Sequence, residues 1–200
     1  MIHIQRLHKQ PLFLLVASQK INAMPATNQV LQTERLILRQ LTLTDTPFII
    51  ELLNTEGWIK YIGERNVKNA DQARQYLSNG PIKSYGQNGF GLYAVTLKNT
   101  NAPVGMCGLI QRDYLLHPDI GYAFLPQYNG QGYAFEIAKA VLQHAFTELK
   151  KEKILAITLP ENKNSVKLLL KLGMKYEEVF VDEKSNETLE RYGITNNGLQ

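Results

Sequence analysis

Two hundred residues, 44% hydrophobic and 20% charged, make an ordinary globular composition in a chain long enough to bury a core. The net charge of +4 is no nucleic-acid footprint: residues 1–24 carry Arg6, Lys9 and Lys20 and no acid, which leaves 19 basic against 18 acidic side chains over 25–200. With one cysteine, Cys107, in the apolar run VGMCGLI, and histidines at 3, 8, 117 and 144 without ligand spacing, neither a disulfide scaffold nor a metal enzyme is expected.

The basic MIHIQRLHK is followed by PLFLLVA, an apolar run too short to span a bilayer and without a small-x-small cleavage site after it. Met24 opens MPATNQVLQTERLILRQL, the form of a natural start just ahead of a strand. Residues 1–23 are therefore expected to be an upstream extension or a loosely attached arm, and residues 24–200 a single cytoplasmic domain.

In ERLILR (34–39), Leu36 and Leu38 alternate with Arg35, Ile37 and Arg39, the pattern of a half-buried strand. TPFIIELLN predicts a helix with Thr46 as N-cap and Pro47 at its first position. NADQARQYLSNGP (69–81) predicts another, with Asn69 and Gln72 spaced as a capping box and Gly80-Pro81 as its end. Strands follow at 90–97 and 104–111, joined as a hairpin by KNTNAP, and at 119–125. Residues 131–150 carry the clearest helical period, with Ala134, Ile137, Ala138, Val141, Leu142, Ala145, Phe146 and Leu149 on one face and Lys150, Lys151 and Lys153 at the C-terminal end. A strand (154–159), a helix closed by Gly173 (164–173) and strands at 175–181 and 188–195 complete an α+β order with a mixed sheet and helices packed on it.

Between the strand ending at Leu125-Pro126 and the long helix lies QYNGQGYA. Two glycines there allow a sharp turn and let an anion approach without meeting a Cβ, while the helix N-terminus offers unpaired N–H groups and a positive dipole end. Taken alone, Gly130 and Gly132 are equally the mark of a tight strand-to-helix turn. A dinucleotide fingerprint is excluded because the third glycine is absent and Glu152 precedes the next strand instead of ending it; a P-loop is excluded because no Gly-Lys-Ser/Thr follows.

Gln127, Gly130, Gly132 and Ala134 fit a Q/R-x-x-G-x-G/A loop, and here the chain resembles the GNAT acetyltransferase superfamily, most of all its RimJ/RimL-like branch of ribosomal-protein N-terminal acetyltransferases. The resemblance runs through TERLILRQLTLTD, VGMCGLI, IGYAFLPQYNGQGYAFEIAKAVLQHAF and ENKNSVKLLLKLGMKYE, about residues 31–182. It implies a mixed, mostly antiparallel sheet of about seven strands with about four helices. It also implies acetyl-CoA as co-substrate. The diphosphate would be held by N–H groups from Tyr128 through Asn129, Gly130, Gln131 and Gly132 to Tyr133, and the pantetheine arm by the main chain of Tyr122, Ala123, Phe124 and Leu125. NKNS matches the family's N-x-x-S: Asn162 would bond the pantetheine arm or cap the last helix, and Ser165 would lie near the thioester sulfur or simply start that helix. Where many members carry an acidic tyrosine this chain has Leu169, which moves proton supply to Ser165 or a water. Glu136 matches an acidic family position and reads as structural; Lys167 and Lys171 are either solvated or near the 3′-phosphate of CoA.

The implied reaction is direct attack of a primary amine on the acetyl carbonyl, with a main-chain N–H near Phe124 as oxyanion donor. At pH 7 an α-amine of pKa about 7.8 is roughly 10% neutral, and a lysine of pKa about 10.4 is nearer 0.04%. An N-terminal acceptor therefore manages with water and a weak carboxylate, for which Asp119 and His117 are candidates; HPD is also ordinary turn chemistry. Trp58 and Tyr61 are either acceptor-pocket walls or core. The preferred acceptor is a protein N-terminal amine. The alternatives are a small-molecule amine such as a polyamine, amino sugar or drug, and a non-catalytic acyl-CoA sensor. Neither nucleic acid nor membrane is an expected partner.

Overall fold

A computed structural model of the chain describes residues 28–182 and 185–198; the expectations for residues 1–23 lie outside them. In chain order the elements are β1 (Gln29–Gln32), β2 (Leu36–Arg39), α1 (Thr46–Leu53), α2 (Glu56–Ile62), α3 (Ala70–Leu77), α4 (Lys83–Asn88), β3 (Leu92–Leu97), β4 (Pro103–Ile110), β5 (Asp119–Phe124), α5 (Tyr133–Thr147), β6 (Lys153–Thr158), α6 (Lys163–Lys171), β7 (Lys175–Val181) and β8 (Thr188–Thr195). The strands form one eight-stranded sheet, β1-β2-β3-β4-β5-β6-β8-β7, with every neighbouring pair antiparallel except β5 and β6.

Two cores follow from strand alternation. Leu36, Leu38, Val95, Cys107 and Ile120 pack on one face against Ile137, Val141, Leu142 and Phe146 of α5 and Leu169 of α6. Ala94, Met106 and Leu125 belong to the other, with Phe48, Ile49 and Leu52 of α1, Trp58 of α2 and Ala73 and Leu77 of α3. Each large apolar side chain taken out of water there contributes on the order of 1.5–3 kcal/mol. Burial pushes the thiol of Cys107 up to about 12, so it behaves as the structural thiol its apolar run suggests.

The differences from expectation lie mostly in short elements. Strand β1 and helices α2 and α4 are additional, because an isolated turn or a four-residue strand carries too little periodicity to be read. Gly80-Pro81 does not end α3: a π turn over Ser78–Ile82 absorbs the proline and the chain continues into α4, which ends at Gly89 with φ +75°. Thr46 is the first residue of α1 and Asp45 its N-cap, because Asp45 closes a capping box with Thr42 across the preceding turn. Helix α5 starts at Tyr133 and ends at Thr147, closed by the amide of Lys151 on the carbonyl of Ala145 (2.9 Å) with Lys150 at φ +51°.

Gly108 of β4 is a pinch point, since a Cβ there would meet the carbonyl of Gly91 and the Cα of Leu92 on the neighbouring strand. Gly86, exposed in α4, has nothing within 4 Å of the equivalent position. Gly108→Ala should therefore lose about 1–3 kcal/mol of stability, and Gly86→Ala should gain about 0.4–1 kcal/mol. Urea unfolding of both variants is the check, and equal midpoints would remove the pinch at Gly108.

Candidate active site

Strand β5 is paired along its whole length on one side only. The amide of Leu125 donates to the carbonyl of Val104 (2.9 Å), and the register Phe124–Gly105 through Asp119–Ile110 continues that ladder. Antiparallel alternation then turns the N–H and C=O groups of Ala123 and Leu125 toward β4, and those of Tyr122 and Phe124 the other way. On that other side, β6 meets β5 in register at Asp119–Leu155 alone, beside a bond from the amide of Leu155 to the carbonyl of Pro118 (2.9 Å). Beyond this bridge the strands part, and the main chain of Tyr122 and Phe124 faces the opening. Of the four residues expected to present main-chain groups, Ala123 and Leu125 are thus corrected: their groups are committed to β4.

At its far end β5 runs through the 3-10 turn Pro126–Tyr128 into the glycine loop and α5. The amides of Tyr128 and Asn129 close that turn on the carbonyls of Leu125 (2.9 Å) and Pro126 (3.1 Å), which withdraws them from the expected set of anion donors. The side chain of Gln131 closes back on the carbonyl of Gln127 (2.9 Å). Among the described residues, the N–H groups of Gly130, Gln131, Gly132, Tyr133 and Ala134 have no hydrogen-bond partner. Gly130 and Gly132 have φ of +75° and +82°, which L side chains rarely adopt, and a Cβ at Gly130 would point into open space. A chain of unpaired amides at a helix N-terminus with open space above it has the form of an anion seat.

The loop is fastened by a residue the sequence reading placed merely on the outer face of a strand. Arg35 donates through Nε to Glu136 (2.7 Å) and through an Nη to the carbonyl of Gln131 (3.0 Å), and its guanidinium lies 4.5 Å from the ring centre of Tyr133. Glu136 also accepts from the amide of Arg35 (2.9 Å) and the hydroxyl of Thr33. Partial burial raises the pKa of Glu136, but these donors outweigh it and hold the carboxyl below its ordinary value. The structural reading of Glu136 thus gains its partners.

On the other bank of the opening, Asn162 caps α6 by accepting the amide of Ser165 (3.2 Å). The hydroxyl of Ser165 lies 2.9 Å from that of Tyr122, so this side chain crosses from β5 to α6 where β6 has drawn away. The tyrosine was expected to act through its main chain alone. Leu169 is 1% exposed in the core.

Two candidates are corrected. Asp119 is 1% exposed and both its oxygens are held by Arg112, at 2.8 and 3.2 Å. Burial raises its pKa, against the attraction of Arg112, and nothing leaves it free to lead a water as a base. Trp58 is 6% exposed in the core with Phe48 and Leu125, so it packs instead of walling a pocket; its indole N–H has no partner among the described residues. Tyr61 is partly exposed on α2 with the ammonium of Lys60 at 5.1 Å, and His117 is partly exposed in the loop just before β5. Lys167 and Lys171 are exposed, and the ammonium of Lys171 lies 4.3 Å from the ring centre of Phe135 in the first turn of α5.

The family described as Acetyltransferase (GNAT) domain matches residues 35–175. The uncharacterized N-acetyltransferase YnaD of Bacillus subtilis (strain 168) is 29% identical over 163 residues, 80% of this chain and 92% of that protein. The ribosomal-protein-S5-alanine acetyltransferase of Vibrio fischeri superposes with a TM-score of 0.71 at 18% identity, over 85% of this chain and 98% of that one. The spermidine N-acetyltransferase of Vibrio cholerae, solved with CoA and spermine, gives 0.68 at 23% identity, over 82% and 96%.

The Arg112–Asp119 pair carries an asymmetric expectation, because the carboxylate is far more buried than the guanidinium. Arg112→Ala leaves a buried charge unpaired and should cost about 3–5 kcal/mol near neutrality, more than Asp119→Asn. Without Arg112 the folded-state pKa of Asp119 rises further above its unfolded value. The stability of Arg112→Ala should then be best preserved at acid pH and fall as pH rises. Thermal melts at pH 5 and pH 8 test this; a deficit that is the same at both values would show that no unpaired Asp119 charge causes it.

Proposed function

This chain belongs to the GNAT acetyltransferase family and is an N-acetyltransferase, and from that premise we propose that it moves the acetyl group of acetyl-CoA to the α-amine of a protein N-terminus. The observation that carries the reading is the unpaired main-chain edge of Tyr122 and Phe124 leading into the unpartnered amides of Gly130–Ala134. The edge suits the amides of the pantetheine arm, the loop amides suit the diphosphate, and the α5 dipole favours its charge. Acetyl-CoA supplies an activated carbonyl and a thiolate leaving group. The chain supplies orientation, the Phe124 N–H toward the carbonyl oxygen, and the Ser165 hydroxyl as proton donor to the sulfur. Lys171 beside Phe135 supports a cation near the phosphate end.

The acceptor follows from proton chemistry. With Asp119 locked to Arg112, the carboxylate nominated by the sequence is taken and His117, partly exposed ahead of β5, is the nominated group left, which suits an acceptor already partly neutral. An α-amine meets that condition and the primary amine of a polyamine does not. The relative acting on ribosomal protein S5 alanine supports the same acceptor, and the one solved with spermine supports the rival.

Calorimetric titration with acetyl-CoA, with NAD as control ligand, is expected to show micromolar binding of the first alone. Gly130→Val should abolish it with the fold retained, since inside the protein the added side chain meets only the strain of φ +75°, about 1–2 kcal/mol. Unchanged affinity would remove the loop from cofactor binding. A lysine-free peptide with a free Ala N-terminus should then be acetylated and its Nα-blocked form should not. Turnover of spermidine but not the peptide would establish the polyamine reading, and turnover of neither with tight acetyl-CoA binding would overturn both acceptors.

Arg35→Ala should weaken acetyl-CoA binding by roughly tenfold while leaving kcat within about twofold at saturation. In the wild type the loop's fastening should hold above the ordinary carboxylate pKa and weaken as pH falls through the lowered value of Glu136. An unaltered affinity in Arg35→Ala would make the network a bystander.

A further inference from the structure

The proton donor of a thiolate must itself be resupplied, and a lone serine is a poor source. Family members that use a tyrosine one turn further along the last helix have no such difficulty, but the position here is Leu169, sealed in the core. Within hydrogen-bond reach of Ser165 stands a different tyrosine, on a different element. The oxygens of Tyr122 and Ser165 are 2.9 Å apart, and the phenol also approaches the carbonyl of Ser165 at 3.5 Å. The amide of Ser165 is already held by Asn162. Ser165 is thus pinned at its backbone from one side and at its hydroxyl from the other.

We infer that Tyr122 is the positioning residue of the thiolate acid: its phenol donates to Ser165 Oγ, turns the serine proton toward the opening between β5 and β6, and replaces that proton when it is given up. The inference rests on Ser165 being the donor to the sulfur. When the amine nitrogen has bonded to the acetyl carbon, the C–S bond breaks with its electron pair on sulfur. Sulfur takes the proton of Ser165 Oγ, and Ser165 Oγ takes the proton of Tyr122. The proton lost by the amine passes to water, and water returns one to the phenolate, so charge and protons balance over the cycle.

The surroundings favour a phenol that stays protonated until called upon. Burial raises its pKa above the ordinary value of 10, more than the bond to Ser165 lowers it. Among the described residues the groups acting on it are Cys107 opposite on β4, itself protonated, and Ser165; no carboxylate is among them. The bond also spans the place where the sheet is open, so it holds the two banks at a fixed separation, which a serine on its own helix turn does not.

The test needs no acceptor. CoA is bound to the wild type, Tyr122→Phe, Ser165→Ala and the double variant, and its thiol is titrated by the ultraviolet absorbance of the thiolate, as the difference from the acetyl-CoA complex. A donor aimed at sulfur stabilises the thiolate, so bound thiol should ionise below free CoA by about one pH unit in the wild type. Each single variant should return most of that shift, and the double variant no more than either alone. A wild-type titration in Tyr122→Phe with a shifted one in Ser165→Ala would overturn the inference and leave Ser165 acting alone. A wild-type titration in Ser165→Ala would overturn the role of Ser165 and the inference with it. Tyr122→Phe removes one oxygen and keeps the packed ring; circular dichroism confirms that the fold is intact.

Discussion

The arrangement depends on one interruption in the sheet. β5 and β6 are neighbours in the middle of eight strands, yet they share a single bridged pair, Asp119 with Leu155, and then diverge. Unpaired main-chain groups in the interior of a sheet are costly unless something else satisfies them. A fold that keeps such an edge open therefore keeps it for a partner able to add the missing strand. An extended chain of amides is such a partner, and the pantetheine arm is one. The opening also leads directly to the glycine loop, so under the proposed reading one defect in pairing supplies both a ladder for the arm and a seat for its phosphates.

A gap of this kind has to be held at a fixed width. One side-chain contact crosses it, and two others fix the elements at its ends. Arg112, just past β4, holds Asp119 of β5 at the narrow end, where β5 and β6 still touch. Tyr122 with Ser165 spans the middle, from β5 to the first turn of α6. Arg35 with Glu136 and the carbonyl of Gln131 fastens the loop at the wide end. The last is half in solvent, where an ion pair adds at most about 1 kcal/mol of stability. Its value is geometric: it turns the Gln131 carbonyl away and balances a carboxylate that would otherwise oppose an anion on the same helix turn. The first is buried and works through its desolvation, so that breaking it from one side is costly.

These contacts also divide the chemistry. The groups the site offers are mostly main-chain donors and neutral hydroxyls, and the carboxylates near it, Asp119 and Glu136, are both engaged with arginines. Under the proposed reading such a site activates the thioester and protonates its leaving group better than it deprotonates an amine. The acceptor must bring part of its own reactivity, which is the physical basis for favouring an N-terminal amine over a more basic one.

The long periodic face of α5, the alternation in β2 and the glycines ahead of α5 were legible in the sequence because each is a local pattern, set by the helix or strand repeat or by backbone freedom. So were the cap at Asn162 and the elements around it. The loop's donors were legible only coarsely, since which amides are free depends on the 3-10 turn that uses those of Tyr128 and Asn129. The phase of β5 was not legible at all: whether Ala123 or Phe124 faces the opening depends on which strand lies beside it. The same holds for every contact that sets the site. Arg35 and Glu136 are 101 positions apart and Tyr122 and Ser165 are 43. Asp119 read as a candidate base or a turn carboxylate and proved to be buried in an ion pair, because burial belongs to the packed chain and not to the residue. The sequence by itself determined the repeating elements and the anion-ready loop, which rest on neighbours in the chain. Which side chains meet across the parted strands, and which carboxylates remain free for chemistry, was decided by the tertiary structure, because those contacts join residues that only folding brings within a few ångströms.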